Sequence, residues 1–318
     1  PGIRKTWSHV GLQFICGLRV STVAINAPQV QGARLMHIPH ALMALNAARA
    51  FCRRLCVITR DSAKSDPLKA VWDLDHVAET GKWELLESSP SEEEISILNG
   101  VAGDSSGTLV TWQKVDRVLR AYADPSGGHA RRALDKKINE FREHAASVFT
   151  RYLDPDDDRA PTIRMTVNGE ELSSWDPFCI GESDLVAEEE IKIEVPGNKG
   201  ETAVCKLKAY VLPRNEEFSS PEAMTEARVS MTNSGVYIYR ENRLLIQGWL
   251  NLYEADTHSN LLRVELSFSH DLDEAFRLDI QKSEIQINAV VSDEIKRILA
   301  APRTAAIDRS RQGQRKQA

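Results

Sequence analysis

Apolar and polar positions change rhythm several times along this chain. Residues 1–40 give no clean period, because Gly, Pro and His interrupt each apolar run. From Ala41 to Arg53 the spacing turns helical: Leu42, Leu45, Arg49 and Cys52 share one face, and alanines fill the gaps. Leu55–Thr59 is a short apolar, β-branched run and predicts a strand. Three more strands are expected at Ala70–Val77, Trp83–Glu87 and Gly107–Val115, with Trp72 and Trp83 packed in the sheet core. Arg131–Leu153 predicts one long amphipathic helix with Leu134, Ile138, Phe141, Ala145, Val148 and Tyr152 on a stripe.

Beyond that helix the pattern is built on hairpins. Ile163–Val167 alternates, Asn168-Gly169 is a strong turn signal, and Glu170–Trp175 is the returning strand. Strands are expected at Ile191–Val195, Ala203–Leu212, Gly235–Tyr239, Leu244–Gln247 and Leu261–Phe268, with Glu188, Glu189 and Glu190 as a polar turn. Helices are expected at Leu272–Phe276 and Ser292–Ala300, the second capped by Ser292 or Asp293. Helices mixed with adjacent strands define an α+β class.

Composition narrows this only a little. The 318 residues are 42% hydrophobic and 27% charged, as in a globular protein large enough for two domains. No run approaches the roughly 18 apolar residues of a membrane span, and the N-terminus has no signal-peptide layout, so no membrane association and a cytoplasmic location are expected. A net charge of -6 argues against nucleic-acid binding by the body. The basic end, with Arg303, Arg309, Arg311, Arg315 and Lys316 against Asp308, is expected to be a disordered tail over 301–318. Five irregularly spaced cysteines argue for free thiols rather than a disulfide framework.

Several blocks are similar to one superfamily. They are Cys-Arg-Arg-Leu-Cys-Val-Ile-Thr-Arg (52–60), Trp-Asp-Leu-Asp-His-Val (72–77), Gly-Thr-Leu-Val-Thr-Trp-Gln-Lys-Val-Asp-Arg (107–117), Val-Asn-Gly (167–169) and Trp-Asp-Pro-Phe (175–178). Gly-Val-Tyr-Ile-Tyr-Arg-Glu-Asn-Arg-Leu-Leu (235–245) and Asp-Ile-Gln-Lys-Ser (279–283) follow. Together, over roughly 41–300, the chain resembles the GHKL ATPases of gyrase B, MutL, MORC and histidine-kinase type. The resemblance implies the rear of an ATP-binding α/β sandwich over 41–122, a linker and long helix over 123–155, and a transducer-like α+β domain over 156–300. Residues 1–40 stay unassigned.

In that superfamily ATP with magnesium sits under a glycine-rich lid and closes two protomers like a clamp, so a homodimer and a protein client are implied. Gly107 and Thr108 match the glycine-threonine at the start of the last ATPase strand, where the hydroxyl meets the adenine edge or an ordered water. Alone, the pair reads as a strand start after a Gly/Ser loop. Lys282 matches the transducer lysine that reaches the γ-phosphate. Alone, it reads as a solvated loop lysine.

The front of the family pattern is not matched. Residues 1–40 contain no Asp or Glu, hence no general base and no adenine-reading aspartate, and no catalytic residue is assigned. Asn26 has no supporting neighbours as a magnesium asparagine. Ala41-Leu-Met-Ala-Leu45 stands where the glycine-rich lid belongs, and its Cβ atoms oppose a phosphate-cradling loop. With Pro1 at the start, these departures lead to the expectation that 1–40 is the remnant of a truncated or frame-disrupted front half.

No metal site is expected. His37, His40, Cys52 and Cys56 have zinc-compatible types but not the spacing. Asp154, Asp156 and Asp158 begin like a calcium loop, but Met165 stands at the twelfth position. The expectation is an ATP-binding conformational clamp or switch of GHKL type with impaired hydrolysis. The alternative is a non-catalytic interaction module derived from such an ATPase.

Overall fold

A computed structural model describes residues 7–16, 19–28, 52–62, 64–103, 105–115, 122, 124, 127–195, 200–276, 278–279, 284–285 and 287–316. The predicted helix over Ala41–Arg53 lies almost wholly outside them, as do His37 and His40. The chain forms two units of α+β character. One comprises Pro1–His144 with Tyr152–Ser173, the other Ala145–Arg151 with Ser174–Ala318.

Among the described residues the first unit holds eight strands: β1 (Trp7–Cys16), β2 (Arg19–Pro28), β3 (Arg54–Arg60), β4 (Leu68–Asp73), β5 (Leu86–Ser88), β6 (Gly107–Gln113), β7 (Arg164–Val167) and β8 (Glu170–Glu171). Their order in the sheet is β5-β4-β3-β6-β1-β2-β7-β8. Only β6 and β1 pair parallel; the other neighbours are antiparallel. Residues 7–16 and 19–28, for which the local pattern predicts no element, thus supply an antiparallel strand pair in the middle of the sheet. The hairpin read from sequence as opening the second domain joins this sheet instead, Val23 of β2 facing Val167 of β7. Its turn is as predicted: Asn168 and Gly169 have φ of 55° and 83°, the left-handed pair of a type I′ turn.

Two helices belong to this sheet, α1 (Leu74–Thr80) and α2 (Glu92–Ala102). The strand expected over Ala70–Val77 ends at Asp73, whose carboxylate accepts from the Asp75 amide and starts α1. Gly81, at φ 69°, closes it. The helix α2 was not expected, yet it carries a capping box: Ser91 accepts from the Glu94 amide while Glu94 accepts from the Ser91 amide. Its Leu98 and Ala102 pack on Cys56, Ile58, Val71 and Leu109. The opposite face holds Cys52, Leu55 and Val110 with half-buried Val57, Trp72 and Trp112. Trp83 does not join the core. It is 58% exposed and rests its ring on Trp72 at 5.7 Å between centroids, because β5 begins only at Leu86.

The predicted long helix is two: α3 (Gly128–Val148) and α4 (Thr150–Leu153). Ala145 and Val148 of its stripe are buried, whereas Leu134 and Ile138 are half-buried and Phe141 is exposed. Arg142 ties α3 to the β7–β8 hairpin through the Val167 carbonyl at 3.1 Å and Glu170 at 2.7 Å.

The second unit contains β9 (Asp184–Glu194), β10 (Thr202–Val211), α5 (Pro221–Ala227), β11 (Gly235–Arg240), β12 (Arg243–Gly248), β13 (Leu262–Phe268), the short pair β14 (Leu278–Asp279) and β15 (Glu284–Ile285), and α6 (Ala289–Lys316). The main sheet runs β12-β11-β13-β10-β9, with β11 and β13 parallel. Glu188, Glu189 and Glu190 are not a turn. They lie within edge strand β9, opposite Lys208, Leu207 and Lys206, and Glu188 pairs with Lys208 at 2.8 Å. The helix expected at Leu272–Phe276 is a 3-10 turn at His270–Leu272 with one further turn, which stacks Phe276 on Phe268 at 4.0 Å.

One sheet face is apolar. Leu207, Val236, Ile238, Val264 and Leu266 pack with Ile295, Leu299 and Ala306 of α6 in a single cluster. The other face is polar but equally buried, and carries Tyr210, Tyr237, Tyr239, Arg263 and Glu265. Phe178 sits among its rings, 5.2 Å from Tyr210 and 5.4 Å from Tyr237. Arg151 of α4 reaches Glu265 at 2.8 Å, Ser267 at 2.7 Å and Asn242 at 3.1 Å, and lies 3.8 Å over the Tyr239 ring. Fully buried Arg263 donates to the carbonyls of Pro177 and Ala227 and to the Tyr237 hydroxyl.

The basic C-terminus is helical rather than disordered, and α6 runs to Lys316. It starts earlier than expected, where Asn288 accepts from the Val290 amide. Arg309 donates to the carbonyls of Val211 (3.1 Å) and Leu212 (3.4 Å) and pairs with Asp184, while Arg303 lies over Tyr253. Arg309 is thus committed to the end of β10 and the start of β9, and Arg303 to the Tyr253 ring. Ending the chain after Ala300 is expected to lower stability by about 3 kcal/mol, from lost charge-assisted hydrogen bonds and helix burial. Thermal unfolding checks this; an unchanged midpoint would mean that the tail packs on nothing.

Candidate functional site

The candidate residues Gly107 and Thr108 open strand β6. Antiparallel pairing with β3 sets Gly107 opposite Arg60 and Thr108 opposite Thr59, and parallel pairing with β1 sets Thr108 beside Val10. Because Leu68 of β4 lies opposite Thr59, one transverse row reads Leu68, Thr59, Thr108. Side chains along that row share a sheet face with Val57, Val110, Leu55 and Trp112, away from α2. The row is half-open: Gly107 is buried, both threonines are half-buried, and Leu68 is 74% exposed.

The two hydroxyls meet at 2.9 Å, and Thr59 Oγ1 also donates to the Gly107 carbonyl at 3.3 Å. Among the described residues neither hydroxyl bonds a carboxylate or an imidazole.

The loop entering Gly107 is held by one side chain. Arg60 donates from Nε to the Ser105 carbonyl at 3.0 Å, from Nη1 to Asn99 at 2.6 Å, and from Nη2 to the Gly103 carbonyl. At the far end of the same strands Asp75 takes Lys114 and Arg53, the latter at 2.8 Å from Nε. Lys114 and then Arg53 hold the Asp75 carboxyl below the usual range. That network fixes strand ends and the α1 start.

On the α2 face, Cys56 donates to Glu94 at 3.8 Å, and Glu94 also receives Lys69 at 2.8 Å. Burial, reinforced by Glu94, pushes the Cys56 thiol up to about 11, so it is no nucleophile at neutral pH. Cys52, Cys56, Cys179 and Cys205 are free. No group of three or more His, Cys, Asp or Glu suited to a metal ion occurs among the described residues. Asp154 caps the Asp156 amide at 3.0 Å, and Met165 is buried. No helix is long and apolar enough to cross a membrane among the described residues.

Lys282 lies outside the described residues, as does Ala41-Leu-Met-Ala-Leu45. Gly107 and Thr108 are thus placed together, and Thr59 is the partner that the sequence reading missed. Leu55–Thr59 and Gly107–Val115 were both expected strands, but the register that brings 59 to 108 is set by the observed pairing.

No family model and no curated protein matches the chain. Among solved structures it is similar to the B-subunit of the DNA gyrase from Myxococcus xanthus, at 10% identity over 94% of this chain and 87% of that one, with a TM-score of 0.38. It is also similar to the ATPase and transducer domains of DNA topoisomerase II from Balamuthia mandrillaris, at 10% identity over 94% and 79%, with a TM-score of 0.36. The ATPase region of Saccharomyces cerevisiae topoisomerase II gives 9% identity over 96% and 81%, with a TM-score of 0.35.

Proposed function

We propose that this chain binds adenine nucleotide as a GHKL-type conformational switch. The observation that carries the reading is the hydroxyl pair of Thr59 and Thr108 beside Gly107. It stands where the resemblance of the sequence blocks puts the adenine contact. Two small hydroxyls in an apolar row suit the edge of a purine. Gly107 and Thr108 would hold the base. Lys282 would meet the γ-phosphate, with magnesium accompanying the nucleotide as in the superfamily. Closure on ATP would favour one arrangement of two protomers over another, and a protein client would read that change. Hydrolysis is expected to be slow, since residues 1–40 offer no Asp or Glu as base.

The test is thermal unfolding with magnesium and ATP. At a free ATP concentration ten times Kd, linkage adds about 1.4 kcal/mol, which raises the midpoint by about 2 °C in a chain of this size. Thr108→Val is expected to remove most of that rise. If no shift occurs at 5 mM ATP (roughly the top of a practical range), the adenine-nucleotide reading is wrong.

A further inference from the structure

Two contacts converge on Thr59 Oγ1, one with the Gly107 carbonyl at 3.3 Å and one with Thr108 Oγ1 at 2.9 Å. Two hydroxyl protons serve them. A carbonyl oxygen cannot donate, so only one assignment makes both bonds. Thr59 gives its proton to Gly107, and Thr108 gives its proton to Thr59. The Thr108 oxygen then has lone pairs left and no proton, so it can only accept. The strands hold this polarity, because the register fixes both threonines side by side on one face.

The geometry points to Thr59 as a positioning residue that sets base specificity: by taking the Thr108 proton it makes Thr108 an obligate acceptor, selective for a purine carrying an exocyclic amine. This rests on the adenine-nucleotide reading above. A 6-amino purine offers Thr108 a donor. A 6-oxo purine sets an oxygen against the Thr108 lone pairs, leaving the edge unpaired and repelled. Removing the Thr59 hydroxyl frees the Thr108 proton, which can then turn to a 6-oxo group.

The experiment compares ATP with ITP, which differ only in the 6-amino or 6-oxo group and the N1 proton, by calorimetric titration of the full chain. The wild type is expected to prefer ATP by about tenfold, the value of one well-made hydrogen bond. Thr59→Val keeps the β-branched shape that suits a strand and should bring the ratio close to one, with ITP bound no more weakly than before. Thr59→Ser restores the hydroxyl and should restore the preference. Loss of sheet packing alone would weaken both nucleotides together, so a Thr59→Val protein that loses both overturns the assignment. An unchanged ATP preference in Thr59→Val overturns it too, while leaving adenine binding in place. A wild type that binds neither nucleotide overturns the adenine reading and this assignment with it.

Discussion

Arg151→Ala is expected to destabilise the second unit by about 4 kcal/mol, the cost of stranding one member of a buried ion pair. Both members are nearly inaccessible, with 2% and 4% of their side chains exposed. The guanidinium satisfies Glu265, Ser267 and Asn242 at once and covers the Tyr239 ring. Alanine removes these donors and leaves the Glu265 carboxylate with Ser267 at 3.2 Å as its named remaining donor. Urea unfolding should show a midpoint lowered with little change in slope.

The sign of the pair itself is separable from the cost of breaking it. Charges removed together leave no stranded ion, so Arg151→Met with Glu265→Leu is expected to recover most of the lost stability. If Arg151→Ala costs less than about 1 kcal/mol, the range of exposed pairs, then Arg151 is solvated and α4 is not anchored by it.

This arginine shows where the sequence was legible and where it was not. Its position on a helix could be read from the stripe that ends in Val148 and Tyr152. Its burial could not, because the partner Glu265 is more than a hundred residues away on β13. The same separation explains β1, which pairs with β6 through His9 and Gly107. Local alternation carries no trace of a parallel partner so distant. Hairpins were legible for the opposite reason: Asn168-Gly169 joins its own partners, so turn chemistry and alternation agree within ten residues.

Charged runs lie within regular elements here. Glu92, Glu93 and Glu94 are the first turn of α2, where carboxylates suit the amide end of a helix dipole. Glu188 to Glu190 lie on an edge strand that can expose acids to water and to lysines across the ladder. Arg309 near the C-terminus donates to the carbonyls of Val211 and Leu212 at the end of β10. The second run was read as a turn and the third as a disordered tail, because local composition shows neither the facing strand nor the carbonyls that a long basic side chain can reach. At the candidate site the case is similar. Gly107 and Thr108 were legible as a motif, whereas Thr59 matters only through the register.

Gly235→Ala is expected to cost the second unit about 3 kcal/mol, combining backbone strain with a steric clash. Gly235 begins β11 at φ 103°, a conformation that side-chain-bearing residues rarely adopt. An added Cβ would also stand 2.9 Å from the carbonyl carbon and oxygen of Gly248 and 3.2 Å from the Trp249 amide. All of these are backbone atoms, so no flexible side chain can move aside. Relief requires shifting the end of β12, and with it Trp249, whose indole donates to Ser234 at 3.2 Å and meets Tyr253 edge-on. Gly200→Ala supplies the comparison. It sits at φ 88° with nothing within 4 Å of an added Cβ, so it should cost only the left-handed backbone penalty, about 1 kcal/mol. The difference between the two melting shifts isolates the clash. Equal shifts would mean that β11 and the end of β12 are not packed this closely.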